Sequence, residues 1–220
     1  MSTAAPAVRA VSTVVFDVDG CLLDSADGIV AGYQHALRSV GVPVPEEEVL
    51  RSDLGPPVGV IFSRLGLDEA TSEAAVAAYR RFYADTGMDR ARVYPGVAEL
   101  LDGLRARGVA LATATMKLTP TAQAILERHG LADRFAVVNG TDGTHRTKAE
   151  TLTHALERLG DPDRAGVLMV GDRHSDIAAA HEVGVGSVAV TWGYGSVAEL
   201  AATGADHLLD DPAELLDLLG

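Results

Sequence analysis

Apolar and polar positions alternate in two different ways along the chain. Stretches in which apolar side chains recur at helical spacing separate short runs of consecutive apolar residues, which lie at 11–16, 109–114, 135–138, 167–170 and 187–191. Strands that are apolar on both faces and alternate with amphipathic helices are typical of a parallel sheet covered on each side. With a last strand and helix expected at 207–219, the pattern predicts an α/β fold with a Rossmann-like, doubly wound parallel sheet.

Residues 26–92 follow the helical pattern alone. Three apolar stripes at helical spacing begin at Ile29, Val58 and Ala75, and proline and glycine residues separate them. This predicts a helical bundle inserted after the first strand. We expect a core domain of residues 1–25 and 93–220 and an inserted α-helical domain, called the cap, of residues 26–92. The two connections, near Ser25 and near residues 93–96, are expected to act as hinges.

Composition and charge narrow the function classes. The chain has 220 residues and a net charge of −13, which argues against a nucleic-acid-binding surface. No apolar run approaches the roughly 20 residues of a membrane span, and residues 1–6 lack the features of a signal peptide. The single cysteine, Cys21, excludes an internal disulfide. We therefore expect a cytoplasmic monomer or homodimer with no membrane and no nucleic-acid partner.

Polar side chains follow several of the predicted strands. Asp17 and Asp19 follow the first run, Thr115 follows the second, and Asp172 and Asp176 follow the fourth. A lone Asp after a strand is commonly a turn residue, and Thr115 alone would suit a helix N-cap. Ligands of open parallel sheets bind beyond the carboxyl ends of the strands, and Mg²⁺ prefers hard oxygen ligands. Taken together, these residues predict a phosphate and metal site.

Both lysines of the chain are close to this set in sequence. Lys117 comes two residues after Thr115, Lys148 opens a predicted helix, and the sixteen other cationic residues are arginines. A phosphorylated substrate must be attracted locally, against the negative net charge. The two lysines are therefore candidates for the cations of the predicted phosphate site.

Four motifs in order resemble those of the haloacid dehalogenase superfamily of aspartate-nucleophile phosphatases. They are residues 17–22 (DVDGCL), Thr115 within 114–117 (ATMK), Lys148, and residues 171–176 (GDRHSD). The resemblance covers essentially the whole chain and is closest to phosphoglycolate phosphatases and bacterial 5′-nucleotidase-like enzymes with an α-helical cap. Cys21 replaces the usual Thr or Val. Residues 149–150 (AE) follow Lys148 in place of the Pro-x-Pro common in phosphoglycolate phosphatases, which favours the nucleotidase-like group.

The resemblance implies a role for each motif. Asp17 is expected to attack phosphorus and form an aspartyl-phosphate, and Asp19 to act first as general acid and then as general base. Thr115, the Met116 backbone N–H and Lys148 are expected to hold the transferring phosphoryl oxygens. The expected cofactor is Mg²⁺, with its ligands among Asp17, Asp19, Asp172 and Asp176.

The implied substrate is a small phosphorylated metabolite, a phosphate monoester related to phosphoglycolate or to a 5′-nucleotide. Lys117 is expected to face the leaving group, and Arg51, in a loop of the cap, to contribute to the choice of substrate. The expected substrate-binding residues are Met116, Lys117, Gly20 and Arg51.

Two other functions remain open at this point. A sugar-phosphate mutase resembling β-phosphoglucomutase shares all four motifs, and a non-catalytic phosphoacceptor module also combines Asp, Thr and Lys at strand ends. A haloacid dehalogenase has no need of the acid/base Asp19, and a phosphonatase needs a cap lysine that residues 26–92 lack. Residues 193–198 (GYGSVA) formally match a dinucleotide fingerprint, but no acidic residue follows at the expected distance on a second strand.

Overall fold

The computed structural model describes residues 11–143 and 147–219. Residues 1–6, on which the signal-peptide expectation rests, lie outside this described part. The strands are β1 (Thr13–Phe16), β2 (Leu23–Asp24), β3 (Arg92–Val93), β4 (Ala110–Thr113), β5 (Thr115–Leu118), β6 (Gly140–Thr141), β7 (Val167–Gly171), β8 (Gly186–Val190) and β9 (His207–Leu209). The α-helices are α1 (Ala26–Ser39), α2 (Glu47–Ser52), α3 (Val58–Arg64), α4 (Glu69–Phe82), α5 (Val97–Ala106), α6 (Thr119–Arg128), α7 (Lys148–Arg158), α8 (His174–Val183), α9 (Val197–Ala201) and α10 (Pro212–Leu218).

Five strands form one parallel sheet in the order β4-β1-β7-β8-β9. Strand β1, the second in this order, is buried on both faces: Val14 belongs to the apolar cluster that includes α5, and Val15 belongs to the cluster that includes α7 and α8. Successive side chains of a strand point to opposite faces, so an apolar run of this kind requires helices on each side. The doubly wound α/β fold predicted from the sequence is confirmed.

Helices α1 to α4 follow the first strand. The three predicted stripes correspond to α1, α3 and α4, while α2 was not predicted, and strand β3 begins at Arg92, the last residue of the range expected to be helical. A π-helical turn (Tyr83–Gly87) and a 3₁₀ turn (Met88–Arg90) lead back to the sheet. The helices α1 and α4 meet through aromatic rings, with the centroids of Tyr33 and Tyr79 5.4 Å apart. No helix in the described part of the chain is long and apolar enough to span a membrane.

The two connections to the cap pair with each other. Strands β2 and β3 form an antiparallel ribbon in which Leu23 lies opposite Val93 and Asp24 lies opposite Arg92. The Tyr94 N–H donates to the carbonyl of Leu22 at 3.2 Å, which extends the pairing. The ribbon begins only a few residues after the end of β1, so the cap connections lie next to the carboxyl end of the sheet.

The strand expected at 135–138 is irregular. Val137 makes a single bridge to Ala112, and the next regular pairing is between β5 and β6. The hydroxyl of Thr113 accepts the N–H of Asn139 at 2.8 Å and donates to the Asn139 carbonyl at 2.9 Å. The Thr113 side chain thus takes the Asn139 N–H that a regular ladder would pair with a backbone carbonyl, while the Asn139 carbonyl also accepts the Thr115 N–H at 3.3 Å.

Candidate active site

Three aspartates meet at the carboxyl end of the sheet. Asp17 follows β1, Asp172 follows β7, and Asp176 lies in the first turn of α8. One carboxylate oxygen from each lies within 4.8 Å of the others, and the side chains of Asp172 and Asp176 are fully buried. Because β1 and β7 are parallel neighbours, their ends necessarily bring Asp17 and Asp172 together.

Lys148 supplies the positive charge inside this group. Its Nζ lies 2.7 Å from Oδ2 of Asp17 and 2.8 Å from Oδ1 of Asp176. A capping box fixes the start of α7: Thr147 accepts the N–H of Glu150, and the Glu150 carboxylate accepts the N–H of Thr147. The Glu150 found in place of Pro-x-Pro therefore fixes the helix start that holds Lys148 at the site.

One ammonium does not neutralise three carboxylates. Burial raises the pKa of Asp17 to about 6 despite its contact with Lys148. Burial, with the charges of Asp176 and Asp17, raises the pKa of Asp172 well above its ordinary value. Burial lowers the pKa of Lys148, but the charges of Asp17 and Asp176 outweigh that effect and raise it.

This donor set fits a divalent cation. Oδ1 of Asp172 is buried and has no hydrogen-bond partner among the described residues. Its Oδ2 accepts the backbone N–H of Tyr194 at 2.7 Å. Hard oxygen donors with excess negative charge and one open oxygen could hold Mg²⁺.

The glycine-rich segment after β8 packs against Asp172. A Cβ at Gly193 would overlap the carbonyl oxygen of Gly20, and a Cβ at Gly195 would overlap the carbonyl oxygen of Asp172. The pattern that formally matched a dinucleotide fingerprint is explained by this close approach of backbones. Gly20 has φ +81° and itself lies against the Asp172 carboxylate. Among the described residues it is not part of the cavity wall, so the structure does not bring Gly20 to the substrate position expected of it.

Asp19 has a partner on each carboxylate oxygen. Nζ of Lys117 lies 2.9 Å from Oδ2, and the hydroxyl of Ser25 donates to Oδ1. Lys117 also donates to the Tyr83 hydroxyl at 3.0 Å. The Ser25 N–H donates to the Tyr194 hydroxyl at 2.9 Å. Lys117 was expected to face the leaving group. Its ammonium instead contacts Asp19, the residue expected to protonate that group.

A cavity of about 1010 Å³ separates the sheet from the cap. Asp17, Asp19, Thr115, Met116 and Lys117 form its floor, and its cap side includes the aromatic residues Tyr33, Tyr79 and Tyr83. Thus the Asp-x-Asp pair and the residues after β4 share one space, while Asp172, Asp176 and Lys148 flank Asp17 outside the cavity wall described.

Like Gly20, Arg51 was expected to bind substrate and lies away from the cavity wall. It belongs to α2, where its guanidinium contacts Oδ1 of Asp27 at 2.5 Å and Oε1 of Glu47 at 2.8 Å. Among the described residues, Arg51 does not belong to the cavity wall. Its guanidinium is paired with two exposed carboxylates on α1 and α2.

Sequence reasoning missed Ser25, Tyr83 and Tyr194. Tyr83 follows Tyr79 at a spacing of four, so helical periodicity could have placed both on one face. The contacts of Ser25 and Tyr194 join residues 169 positions apart, and no local pattern signals such a pair.

The family model for haloacid dehalogenase-like hydrolases matches residues 14–190. Over 185 residues the chain is 43% identical to tyrosine-protein kinase PtkA of Mycobacterium tuberculosis, covering 83% of this chain and 62% of that protein's length. Over 209 residues it is 35% identical to a 5′-nucleotidase of Pseudomonas aeruginosa, covering 94% of each.

A solved structure agrees with these sequence comparisons. The crystal structure of a predicted phosphatase from Clostridium acetobutylicum superposes with a TM-score of 0.89 at 33% identity, covering 96% of this chain and 99% of that one. The predicted resemblance is confirmed: the chain belongs to the haloacid dehalogenase-like hydrolases.

Proposed function

We propose that this protein is a Mg²⁺-dependent phosphatase that hydrolyses a small phosphate monoester through an aspartyl-phosphate on Asp17. The observation that carries this proposal is the setting of the Asp17 carboxylate. It lines the cavity, and Lys148 contacts its Oδ2 at 2.7 Å. A lysine at that distance can orient the carboxylate for attack and offset charge on the phosphoryl oxygens.

The reaction then has two steps. First, an Asp17 oxygen bonds to phosphorus, the bond from phosphorus to the leaving oxygen breaks, and Asp19 gives its proton to that oxygen. Second, a water oxygen bonds to phosphorus, the bond to Asp17 breaks, and Asp19 takes up the proton of the water. The products are an alcohol and inorganic phosphate, and both aspartates return to their starting states.

The proposed Mg²⁺ ligands are the carboxylates of Asp17, Asp172 and Asp176, with the backbone carbonyl of Asp19. The cation supplies charge neutralisation when an anionic carboxylate approaches an anionic ester. Thr115 and the Met116 N–H are proposed to bind the phosphoryl oxygens from the end of β4. The floor of the cavity would thus hold the phosphoryl group.

We propose that residues 1–25 and 93–220 act as the catalytic core and residues 26–92 as a cap that selects the substrate. A cavity of about 1010 Å³ is far larger than a two-carbon acid needs, and it is at the upper end of typical small-molecule sites. This volume leaves room for a leaving group of nucleoside size. These features favour a 5′-nucleotide-like monoester over phosphoglycolate.

The phosphoryl acceptor distinguishes the competing functions. An aspartyl-phosphate can pass its phosphoryl group to water, to a sugar hydroxyl as in a mutase, or to a tyrosine hydroxyl. The 43% identity with a protein named a tyrosine-protein kinase makes the last acceptor worth a direct test. A binding module would transfer nothing.

A panel of phosphate monoesters, including phosphoglycolate, nucleoside 5′-monophosphates and hexose phosphates, would be assayed for free phosphate with Mg²⁺. Parallel reactions would contain ATP with a tyrosine peptide, or a hexose phosphate alone, and be analysed by mass spectrometry. We expect release of phosphate that Asp17→Asn abolishes, because the nearly isosteric amide is a poor nucleophile. Retention of more than roughly a twentieth of the turnover by Asp17→Asn, or transfer to a hydroxyl without phosphate release, would refute the proposal.

A further inference from the structure

We propose that Tyr83 is a positioning residue for catalysis: from the cap, its hydroxyl holds Lys117 against Asp19, so that the general acid is aimed only when the cap covers the site. This inference rests on the proposed phosphatase reaction. It assigns a role to a cap side chain that none of the four motifs contains.

The contacts form a continuous chain from the cap to the acid. The Tyr83 hydroxyl accepts a hydrogen bond from Nζ of Lys117 at 3.0 Å, and that Nζ lies 2.9 Å from Oδ2 of Asp19. The ammonium also lies 4.2 Å from the centroid of the Tyr83 ring. The side chain of Lys117 is 9% exposed, so bulk water does not substitute freely for these partners.

The second carboxylate oxygen of Asp19 has its hydrogen-bond partner at the start of the cap. Its Oδ1 accepts the hydroxyl of Ser25, which directly follows strand β2 of the ribbon. Asp19 is therefore held between a residue at the cap entrance and a lysine that a cap tyrosine holds. A displacement of the cap changes the surroundings of both carboxylate oxygens.

The backbone of Lys117 belongs to β5 in the core, and that of Tyr83 belongs to the π-helical turn after α4. When Tyr83 moves away, the Lys117 ammonium loses one of the two polar partners that it has among the described residues, and a ring face. Its flexible stem then has fewer constraints, and the orientation of Asp19 is less fixed. The affected event is proton delivery to the leaving oxygen, while Asp17, Lys148 and the phosphoryl contacts stay in place.

Because only proton delivery is affected, loss of the Tyr83 hydroxyl should slow some substrates more than others. A basic leaving group needs the proton from Asp19, whereas a stabilised phenolate leaves without much help. Phenyl phosphate and 4-nitrophenyl phosphate have nearly the same shape and differ mainly in the basicity of the leaving oxygen. The kcat/KM value reports the step that forms the aspartyl-phosphate, so it isolates the step that uses the acid.

Tyr83→Phe is the test variant, because it removes the hydroxyl and keeps the ring. Tyr79→Phe is the matched control: its ring stacks on Tyr83 with centroids 5.5 Å apart, and it lines the same cavity. Burial lowers the pKa of Lys117, whereas Asp19 and Tyr79 raise it. The Tyr79 hydroxyl makes no hydrogen bond among the described residues, so the control separates nearby charge from the hydrogen bond. General acid–base catalysis contributes roughly 10²–10⁴ in rate, so partial misplacement of the acid is expected to cost roughly tenfold. We expect that loss in kcat/KM for phenyl phosphate with Tyr83→Phe, a loss under roughly threefold for 4-nitrophenyl phosphate, and smaller changes with Tyr79→Phe.

A double-mutant cycle with Lys117→Met tests whether Tyr83 acts through Lys117. In the Lys117→Met background, Tyr83→Phe should cause no further selective loss on phenyl phosphate. Equal losses on both substrates, a rise in KM alone, or a full additional loss in the Lys117→Met background would overturn the positioning role. Those outcomes leave the phosphatase reaction intact, whereas a wild-type enzyme that hydrolyses neither ester with Mg²⁺ would overturn the proposed function itself.

Discussion

Replacement of Lys148 by alanine should lower the stability of the metal-free protein as well as its catalytic turnover. The side chain of Lys148 is 6% exposed and contacts Asp17 and Asp176 at 2.7 and 2.8 Å. Removing one partner of a buried ion pair typically costs about 3–5 kcal/mol, because the remaining charges are left uncompensated. For a domain of this size that loss corresponds to a decrease in Tm of about 6–20 °C. In EDTA we therefore expect Lys148→Ala to melt well below the wild type.

Mg²⁺ should reduce this difference without restoring catalysis. A ligand at about 100 times its Kd adds about 2.7 kcal/mol to the free energy of unfolding. Lys148→Ala keeps the three carboxylates and loses their competing cation, so its gain in Tm from Mg²⁺ should equal or exceed that of the wild type. Turnover should stay roughly 10²–10³ below the wild type, because the preorganised contact with the phosphoryl oxygens is gone.

Two variants control for charge and for lysine loss in general. Lys148→Arg keeps a charge, but a planar guanidinium does not fit between Asp17 and Asp176, so we expect no rescue of turnover. Lys117→Ala removes the other lysine, whose partner is Asp19. Equal melting of wild type and Lys148→Ala in EDTA would refute the electrostatic reasoning. A greater loss of turnover from Lys117→Ala would show that the two roles are reversed.

Two further predictions concern the carboxylates. Asp172→Ala should raise the Mg²⁺ concentration needed for half-maximal phosphatase activity and shrink the Mg²⁺-induced rise in Tm; an unchanged metal titration would remove Asp172 from the ligand set. The pKa of Asp17 is about 6 in the folded protein and about 3.9 in an unfolded chain, so the folded state binds more protons between these values. In EDTA, the resistance of the wild type to urea should therefore rise as the pH falls from about 8 to about 5.5. Asp17→Asn should lose this part of the pH dependence. A fall in wild-type stability over this range, or an identical rise in Asp17→Asn, would contradict a raised pKa at Asp17.

The sequence predicted the parts of the site that local rules determine. Asp17 and Asp172 each follow a buried strand, and parallel neighbours end at the same edge of a sheet, so their meeting follows from the strand pattern. Lys148 begins a helix whose capping box is legible in residues 147–150. The placement of these side chains at one edge of a parallel sheet could therefore be predicted without coordinates, whereas the order of the strands comes from the structure.

The contacts of Lys117 could not be inferred in the same way. Thr115 alone would have suited a helix N-cap, but it begins the short strand β5 instead. An extended backbone sends alternate side chains to opposite faces, and the ammonium of Lys117 reaches Asp19. The partner of that lysine, Tyr83, comes from the cap, so the contact depends on how the helices pack against the sheet.

The strand expected at 135–138 shows a second limit of local rules. The apolar run does lie beside β4, as expected of a strand. However, the hydroxyl of Thr113 forms hydrogen bonds with both the N–H and the carbonyl of Asn139. Such competition between a side chain and a ladder depends on the register between segments 26 residues apart. Apolar periodicity carries no information about that register.

The ribbon of β2 and β3 also allows the segment between these two strands to be replaced by segments of other lengths. Asp24 lies opposite Arg92, so the two ends of the helical insertion leave the sheet side by side, at the separation of paired strands. For a loop whose ends are already joined, each doubling of length costs only about 0.6 kcal/mol in closure entropy. Insertions of quite different length can therefore occupy this position while the five-stranded sheet keeps its register. If the cap selects the substrate as proposed, replacing this one contiguous stretch of sequence would change the substrate preference.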